Sequence, residues 1–370
     1  MTGARGDADP QAARASGADA GGSASSPVSP APVVTLGETM ALMTGARMGS
    51  LAHVDQMHVS IGGAESNVAV GLSRLGTPVR WIGRVGDDSL GRRVVRELRG
   101  EHVEVRGIVD PDAPTGLMLK ELTGPGTARV LYYRSGSAGS RLSPDDLVPG
   151  AVEEAALLHL TGITPLLSDS AREACRTAVR RARAAGVPVS FDVNYRRALA
   201  PESVAAEVLS EFAESADILF GAVDELALVL GTEPNHAAVR ESLKERADSA
   251  GVSHAPRLAA EVVAKLGEDG AAVFVTGEAA GAESLAHGAA LREVQVDGHR
   301  ISVVDTVGAG DSFVAGYLSG RLGGLGVEER LIRANACGAY MCTAPGDWEG
   351  APTPRDLASF GAAGADPVQR

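Results

Sequence analysis

The chain has 370 residues, 44% of them hydrophobic, enough apolar material for one large α/β domain or two ordinary ones. With 34 basic against 47 acidic side chains the formal net charge is −13, which argues against binding nucleic acid or anionic lipid through bulk charge. The three cysteines, Cys175, Cys337 and Cys342, contain no Cys-x-x-Cys pair and are too few for a disulfide framework, so idle thiols in a reducing compartment are expected. No apolar run approaches the roughly 18 residues of a membrane span and no hydrophobic h-region follows the first residues, so the expected location is the cytoplasm.

In chain order, residues 1–32 are mostly Ala, Gly, Ser, Pro and Asp. They cannot bury enough surface to offset ordering entropy and read as a disordered tail. Order is expected from Val33-Val34-Thr35-Leu36 onward. A helix over Asn67 to Leu75 follows, with Ser66 as its expected cap and Gly76 and Pro78 as its stop. Val79 to Ile82 reads as a strand and Ser89 to Leu98 as a helix. Gly116 to Leu122 and Ala128 to Arg134, flanking a Gly- and Pro-containing turn, read as a hairpin. Leu157 to Leu160 is an expected strand, Ser168 to Ala185 a helix closed by Gly186, and Val187 to Val193 a strand. Further strands are expected at Asp217 to Phe220, Glu261 to Leu266 and Ala271 to Thr276, and a strand-like lead-in at Ile301 to Val304. Helices are expected over Ala309 to Arg321 and Val327 to Met341. Residues 232–256, polar and weakly periodic, read as a surface insertion, helical in part. Strands alternating with helices predict a mostly parallel sheet covered on both faces, with a small β-sheet lid from segments near 39–60 and 107–135.

The strongest local signal is Asp305-Thr306-Val307-Gly308-Ala309-Gly310-Asp311 at the start of an expected helix. Small residues at Gly308, Ala309 and Gly310 let backbone N–H groups face a bound anion, where the helix dipole favours negative charge. Asp311, in the first turn, is then placed to take a proton from an alcohol while those amides stabilise charge on a transferred phosphoryl group. Alone, the motif reads equally well as a glycine-rich connection with a capping acid. Neither a Walker A sequence nor G-x-G-x-x-G occurs. A second cluster, Gly62-Gly63-Ala64-Glu65-Ser66-Asn67, permits close backbone approach to a ligand and offers Asn67 as donor and acceptor to a polyol.

The two clusters in this order, together with Ile82 to Asp88, resemble the paired signatures of the PfkB (ribokinase-like) family of carbohydrate kinases. The resemblance spans about Val33 to Leu357, within an expected kinase domain of residues 33–360. It implies a three-layer α/β/α ribokinase-like fold with a small β lid, ATP and Mg2+ as co-substrate and cofactor, and Asp311 as base beside an anion hole of Gly308, Ala309 and Gly310. A monovalent cation is left open, and no metal-ligating residue is assigned.

Within that family the chain is similar to 2-keto-3-deoxygluconate kinases. The resemblance implies a substrate loop of Gly63, Ala64, Glu65, Ser66 and Asn67, and a lid strand whose Tyr132, Tyr133 and Arg134 reach a sugar acid. It implies Asn194 at nucleotide phosphate, Arg196 serving substrate and nucleotide, and Asp347 on substrate hydroxyls. Lys265, Gly267 and Gly270 would line the nucleotide side. Arg134 and Arg196 also suit a keto acid chemically, because a guanidinium fork matches a carboxylate; each alone reads more readily as a surface salt bridge, and only placement in the matched segments reverses that. Tyr132 and Tyr133 alternate across a strand, so one of them should face the cleft. Met118, where these kinases often carry an aromatic, and Ala200, where a Trp is common, are departures that bear on specificity. Fructokinase, ribokinase and 5-dehydro-2-deoxygluconokinase activities on the same fold are alternatives, as is a non-catalytic sugar-binding protein. A homo-oligomer is expected from the exposed edge of the lid sheet.

Overall fold

The computed structural model describes residues 30–124, 127–249, 258–276 and 291–361; the expected tail therefore lies almost entirely outside the described residues. Two sheets organise the chain. The larger has nine strands in the order β13-β12-β11-β10-β9-β8-β1-β4-β5. Its parallel part comprises β1 (Val33–Leu36), β4 (Val79–Gly86), β5 (Glu104–Asp110), β8 (Leu157–Thr161), β9 (Val189–Asp192), β10 (Ile218–Ala222) and β11 (Glu261–Lys265). The antiparallel strands β12 (Ala271–Thr276) and β13 (Leu291–Val296) extend one edge.

Side chains leave this sheet alternately on its two faces, and the core divides accordingly. Val34, Leu36, Leu158, Leu160 and Phe274 pack on one face. There they meet helices α3 (Asp169–Ala184), α4 (Glu202–Ser215), α5 (Val223–Leu230) and α6 (His236–Asp248). Val33, Leu157, Phe220, Val263 and Val273 pack on the other. Their partners are α1 (Ala64–Arg74), α2 (Ser89–Gly100), α7 (Ala309–Leu322) and α8 (Val327–Met341). A last helix, α9 (Pro354–Gly361), packs against α8. Burial of both faces explains why the strands read as near-continuous apolar runs.

The smaller sheet has four strands in the order β3-β2-β6-β7: β2 (Met40–Gly45), β3 (Met57–Gly62), β6 (Leu117–Gly124) and β7 (Thr127–Tyr133). Its apolar cluster is only Met40, Leu42 and Met118, with Val130 packed against it. This sheet does not carry a core of its own; its apolar face covers a cavity.

Several expectations need correction. Ser66 does not cap α1. Gly63 holds the cap position, and Ser66 lies inside the helix donating its hydroxyl back to the Gly63 carbonyl at 2.9 Å. Ile301 to Val304 forms no strand; Val303 and Val304 are about half exposed, and the Val304 amide donates to the Cys342 carbonyl instead. Residues 107–110 belong to β5 at the edge of the main sheet rather than to the smaller one. Within the supposed insertion, α6 buries Val239 and Leu243 in the core, because its apolar positions four apart fall on one face; residues 250–256 lie outside the described residues. Among the described residues no helix is long and apolar enough to cross a membrane.

Candidate active site

The chain runs from β1 to β4 and β5 on one side, then returns to place β8 to β11 on the other. Such a reversal opens a crevice at the carboxyl ends of parallel strands. The segments leaving those ends converge here: Glu38 beyond β1, Ile163 beyond β8, Asn194 beyond β9, Ala222 ending β10 and Lys265 ending β11 all line one cavity of about 550 Å³. Met40, Leu42, Met118 and Val130 of the smaller sheet form its opposite wall.

Two helix N-termini point into this space. At α1, Gly63 is required by close approach, since a Cβ there would stand 2.3 Å from the Glu38 carbonyl oxygen. At α7, Gly308 occupies the cap position with φ 75°, in the left-handed region. Between them Asp311, in the first turn of α7, accepts a hydrogen bond at its Oδ2 from Asn67 Nδ2 at 2.8 Å. Asp311 is only 8% exposed. Burial pushes its pKa up to about 6; the Asn67 bond opposes that rise, Asp192 reinforces it, and Arg196 and Lys265 counter it. A carboxylate of that basicity, beside N–H groups and on a cavity wall, can receive a proton at neutral pH.

Of the residues singled out from the sequence, Gly63, Ala64, Asn67, Tyr132, Arg134, Asn194, Arg196, Lys265, Gly308, Gly310, Asp311 and Asp347 share this cavity. Gly267, Gly270 and Ala309 line an adjoining, mostly apolar cavity of about 350 Å³, with Ile301, Val303, Phe313 and Ala339. Lys265, Gly310 and Thr306 border both. Tyr132 is the tyrosine that faces the cleft, and Tyr133 is 61% exposed on the far face of β7.

Glu65 and Ser66 do not reach either cavity. Glu65 turns into the core, where it is fully buried and its Oε1 accepts from the hydroxyls of Thr161 at 2.8 Å and Thr164 at 2.6 Å. Its Oε2 has no hydrogen-bond partner, and burial raises its pKa to about 7. A carboxyl whose folded pKa exceeds its unfolded one stabilises the fold below the unfolded value and loses that contribution as pH rises through the folded one, here from about 4.5 to about 7. Glu65→Gln, which keeps an oxygen for both threonines, should therefore melt several degrees higher than the parent at pH 8, with the gain shrinking toward pH 5. Thermal melts across that range check it; equal shifts at both ends would refute the buried-charge account.

Charges in the cavity are almost all matched. Arg134 Nε donates to Glu38 Oε2 at 2.8 Å, and Glu38 also accepts from Ser137. Lys265 Nζ contacts both oxygens of Asp192, at 2.7 and 3.0 Å. Lys120 donates to Asp305 and lies 3.6 Å from Asp347. The side chain of Arg196 makes no ion pair or hydrogen bond among the described residues. Two buried side-chain oxygens lack a hydrogen-bond partner: Asp347 Oδ1, which Lys120 faces at 3.6 Å, and Asn194 Oδ1, on a residue held at φ 40°. Asn194 is buried in a conformation that non-glycine residues adopt only when their surroundings impose it.

Glu38, Lys120, Glu225 and Asp305 were not singled out from the sequence as site residues. Lys120 carried a signal, because strand alternation puts it on the same face as the apolar Met118 and Leu122, and a charge on an apolar face is informative. Glu38 and Glu225 carried none: each stands in an ordinary loop or helix start and matters only through what it meets.

An open parallel sheet with its crevice at the strand reversal, a buried carboxylate at a helix N-terminus and a separate small sheet closing the other side together define a ribokinase-like sugar kinase. The chain belongs to the pfkB family of carbohydrate kinases, whose family model matches residues 31–354. It is 37% identical over 330 residues to a 2-dehydro-3-deoxygluconokinase of Bacillus subtilis, covering 88% of this chain and 94% of that one. Among solved structures it is similar to a PfkB protein of Polaromonas, with 32% identity and a TM-score of 0.72 over 90% of this chain and all of that one. It is also similar to a sugar kinase of Pyrococcus horikoshii solved in complex with ATP, with 26% identity and a TM-score of 0.71 over 88% of this chain and 97% of that one.

Proposed function

We propose that the protein phosphorylates the terminal hydroxyl of 2-keto-3-deoxygluconate with ATP, giving 2-keto-3-deoxy-6-phosphogluconate. The observation that carries the sugar-acid reading is Arg196, a cation on the cavity wall that feels the charges of Asp311 and Glu225 but makes no ion pair among the described residues, beside three cations that make one. An unmatched guanidinium there suits an anionic ligand, and its planar fork fits a carboxylate. Arg134 contributes less than its sequence position implied, because Glu38 already occupies two of its nitrogens. Its neighbour Tyr132, 5.9 Å from the guanidinium, supplies a face against which the sugar chain can lie.

The residues present fit a nucleotide triphosphate. The adjoining apolar cavity suits a base, and Gly267 and Gly270, both at positive φ, keep its floor free of side chains. The amides opening α7 face the site where terminal phosphate would lie, and Asn194, on the wall of the larger cavity, has a side-chain NH2 that can donate to phosphate oxygens. Among the described residues no cluster of three acidic or metal-binding side chains could hold a cation alone. Mg2+ would arrive on the phosphates, sharing its charge with them, as is usual for this ion.

Asp311 takes the proton from the substrate's terminal hydroxyl as that oxygen attacks the terminal phosphorus. The Gly308–Asp311 amides stabilise the charge that builds on the transferred group. The small sheet excludes water from the cavity, which limits wasteful hydrolysis. Asp347, on the wall of the same cavity, accepts hydrogen bonds from substrate hydroxyls. The reading places the enzyme in the cytoplasm, where ATP and small sugar acids meet.

A panel of sugar acids, fructose and ribose with coupled detection of ADP tests the assignment. The sugar acid should exceed the neutral sugars in kcat/KM by at least about tenfold, the worth of one charge-assisted contact. Arg196→Ala should raise KM for the sugar acid about 10- to 100-fold and change KM for ATP far less. Equal loss on fructose would remove the carboxylate from Arg196.

A further inference from the structure

Among the described residues Lys120 is the one charged side chain that the strands of the small sheet place on its inner face, and it is 2% exposed. Its neighbours on that face include the apolar Met40, Leu42, Met118 and Val130, with Thr44 in register beside it. An ammonium in such surroundings is costly unless matched, and its partners come from elsewhere in the chain. One is Asp305, ahead of the Gly308 turn, and the other is Asp347, 3.6 Å away on the loop after α8. Asp305 in turn accepts from the Val307 amide at 3.2 Å and, more weakly, from the Gly346 amide at 3.4 Å. One ammonium therefore joins the small sheet, the turn that opens α7 and the loop bearing Asp347.

We propose that Lys120 is a positioning residue of the reaction: it keeps Asp347 ionised and aimed at the substrate hydroxyls, and through Asp305 it fixes the turn that presents the α7 amides. The proposal rests on the reading of Asp347 as a substrate contact. Four charged groups face the Asp347 carboxyl. Glu349 on its own loop, Asp311 from α7 and Asp305 all favour its protonated form, and Lys120 from β6, 3.6 Å away, opposes them. Burial already pushes its pKa up to about 7, so the balance at neutral pH is close. Without the ammonium, a donating substrate hydroxyl would meet a carboxylic acid rather than a carboxylate.

The test compares Lys120→Met, Lys120→Arg and Asp347→Asn in the full chain, with KM for the sugar acid and for ATP measured from about pH 5.5 to 9. Lys120→Met should raise KM for the sugar acid about tenfold at pH 7 and move the acid limb of kcat/KM up by about one pH unit. KM for ATP should stay within about threefold, and Lys120→Arg should return both sugar-acid values near the parent. A packing role alone would not move the limb, nor would arginine correct it. If Lys120→Met does not fold, Lys120→Met combined with Asp305→Asn removes the buried pair as a unit and makes the same comparison. An unshifted limb and parental KM in the folded variant overturn the proposal. If Asp347→Asn leaves KM unchanged, the reading of Asp347 itself fails; if Asp347→Asn raises KM and the Lys120 variant does not, only the role of Lys120 fails.

Discussion

Asp311→Asn should lower kcat by about 10²- to 10⁴-fold, the usual worth of a positioned general base, while leaving nucleotide affinity within a few fold. The substitution is nearly isosteric. The amide oxygen can still accept from Asn67 Nδ2, which stands 2.8 Å from the carboxylate now, so α1 and α7 should keep their relation. What disappears is the proton acceptor. The parent's kcat should fall below about pH 6, because burial places the Asp311 pKa there and only the ionised form can take the proton. In the variant that acid limb should vanish along with the rate. Calorimetric titration with ATP, beside steady-state kinetics, separates the two effects. Robust turnover in the variant would end the base assignment.

Gly308→Ala should lower kcat/KM by about 100-fold or more and destabilise the fold measurably. Two penalties act together. The backbone there has φ 75°, which costs a residue with a Cβ roughly 1–2 kcal/mol. The new methyl would also stand 2.0 Å from the Asp347 carbonyl oxygen and 3.1 Å from the Met341 methyl. A backbone atom cannot swing aside, so either the α7 start or the 346–350 loop must move, and both carry site residues. Gly324 offers the control: its φ is 78° but a Cβ there would meet nothing within 4 Å. Gly324→Ala should therefore show the strain alone, with a lowered melting temperature and unchanged kinetics. Equal activity loss in both variants would refute the steric argument.

These two predictions share a cause. The turn at Gly308 is held from outside, by the Asp347 loop packed on its back and by Asp305 below it. Arg74 secures the same loop from α1, donating from Nη1 to the carbonyls of Glu349 at 2.9 Å and Ala351 at 2.8 Å. The amide cradle is thus assembled by segments more than 200 residues apart in the chain, and none of them makes it alone.

By itself the sequence determined the class of fold and the position of the chemistry. Burial on both faces makes parallel strands near-continuous apolar runs, as in Ile218 to Phe220 and Val262 to Ala264, and glycine at Gly308 marks a backbone that tolerates nothing larger. Those constraints act within a few residues, so they leave a local record. The strands of the small sheet left a weaker one, since Met40–Gly45 and Met57–Gly62 cover a cavity rather than fill a core and need no strict alternation. Only the tertiary structure decided that Glu65 turns inward from the substrate loop, that Glu38 claims Arg134, and that Arg196 stays unmatched. Charge pairing is settled by distances across the fold, and a guanidinium or carboxylate looks the same in sequence whether its partner is a neighbour, a substrate or nothing.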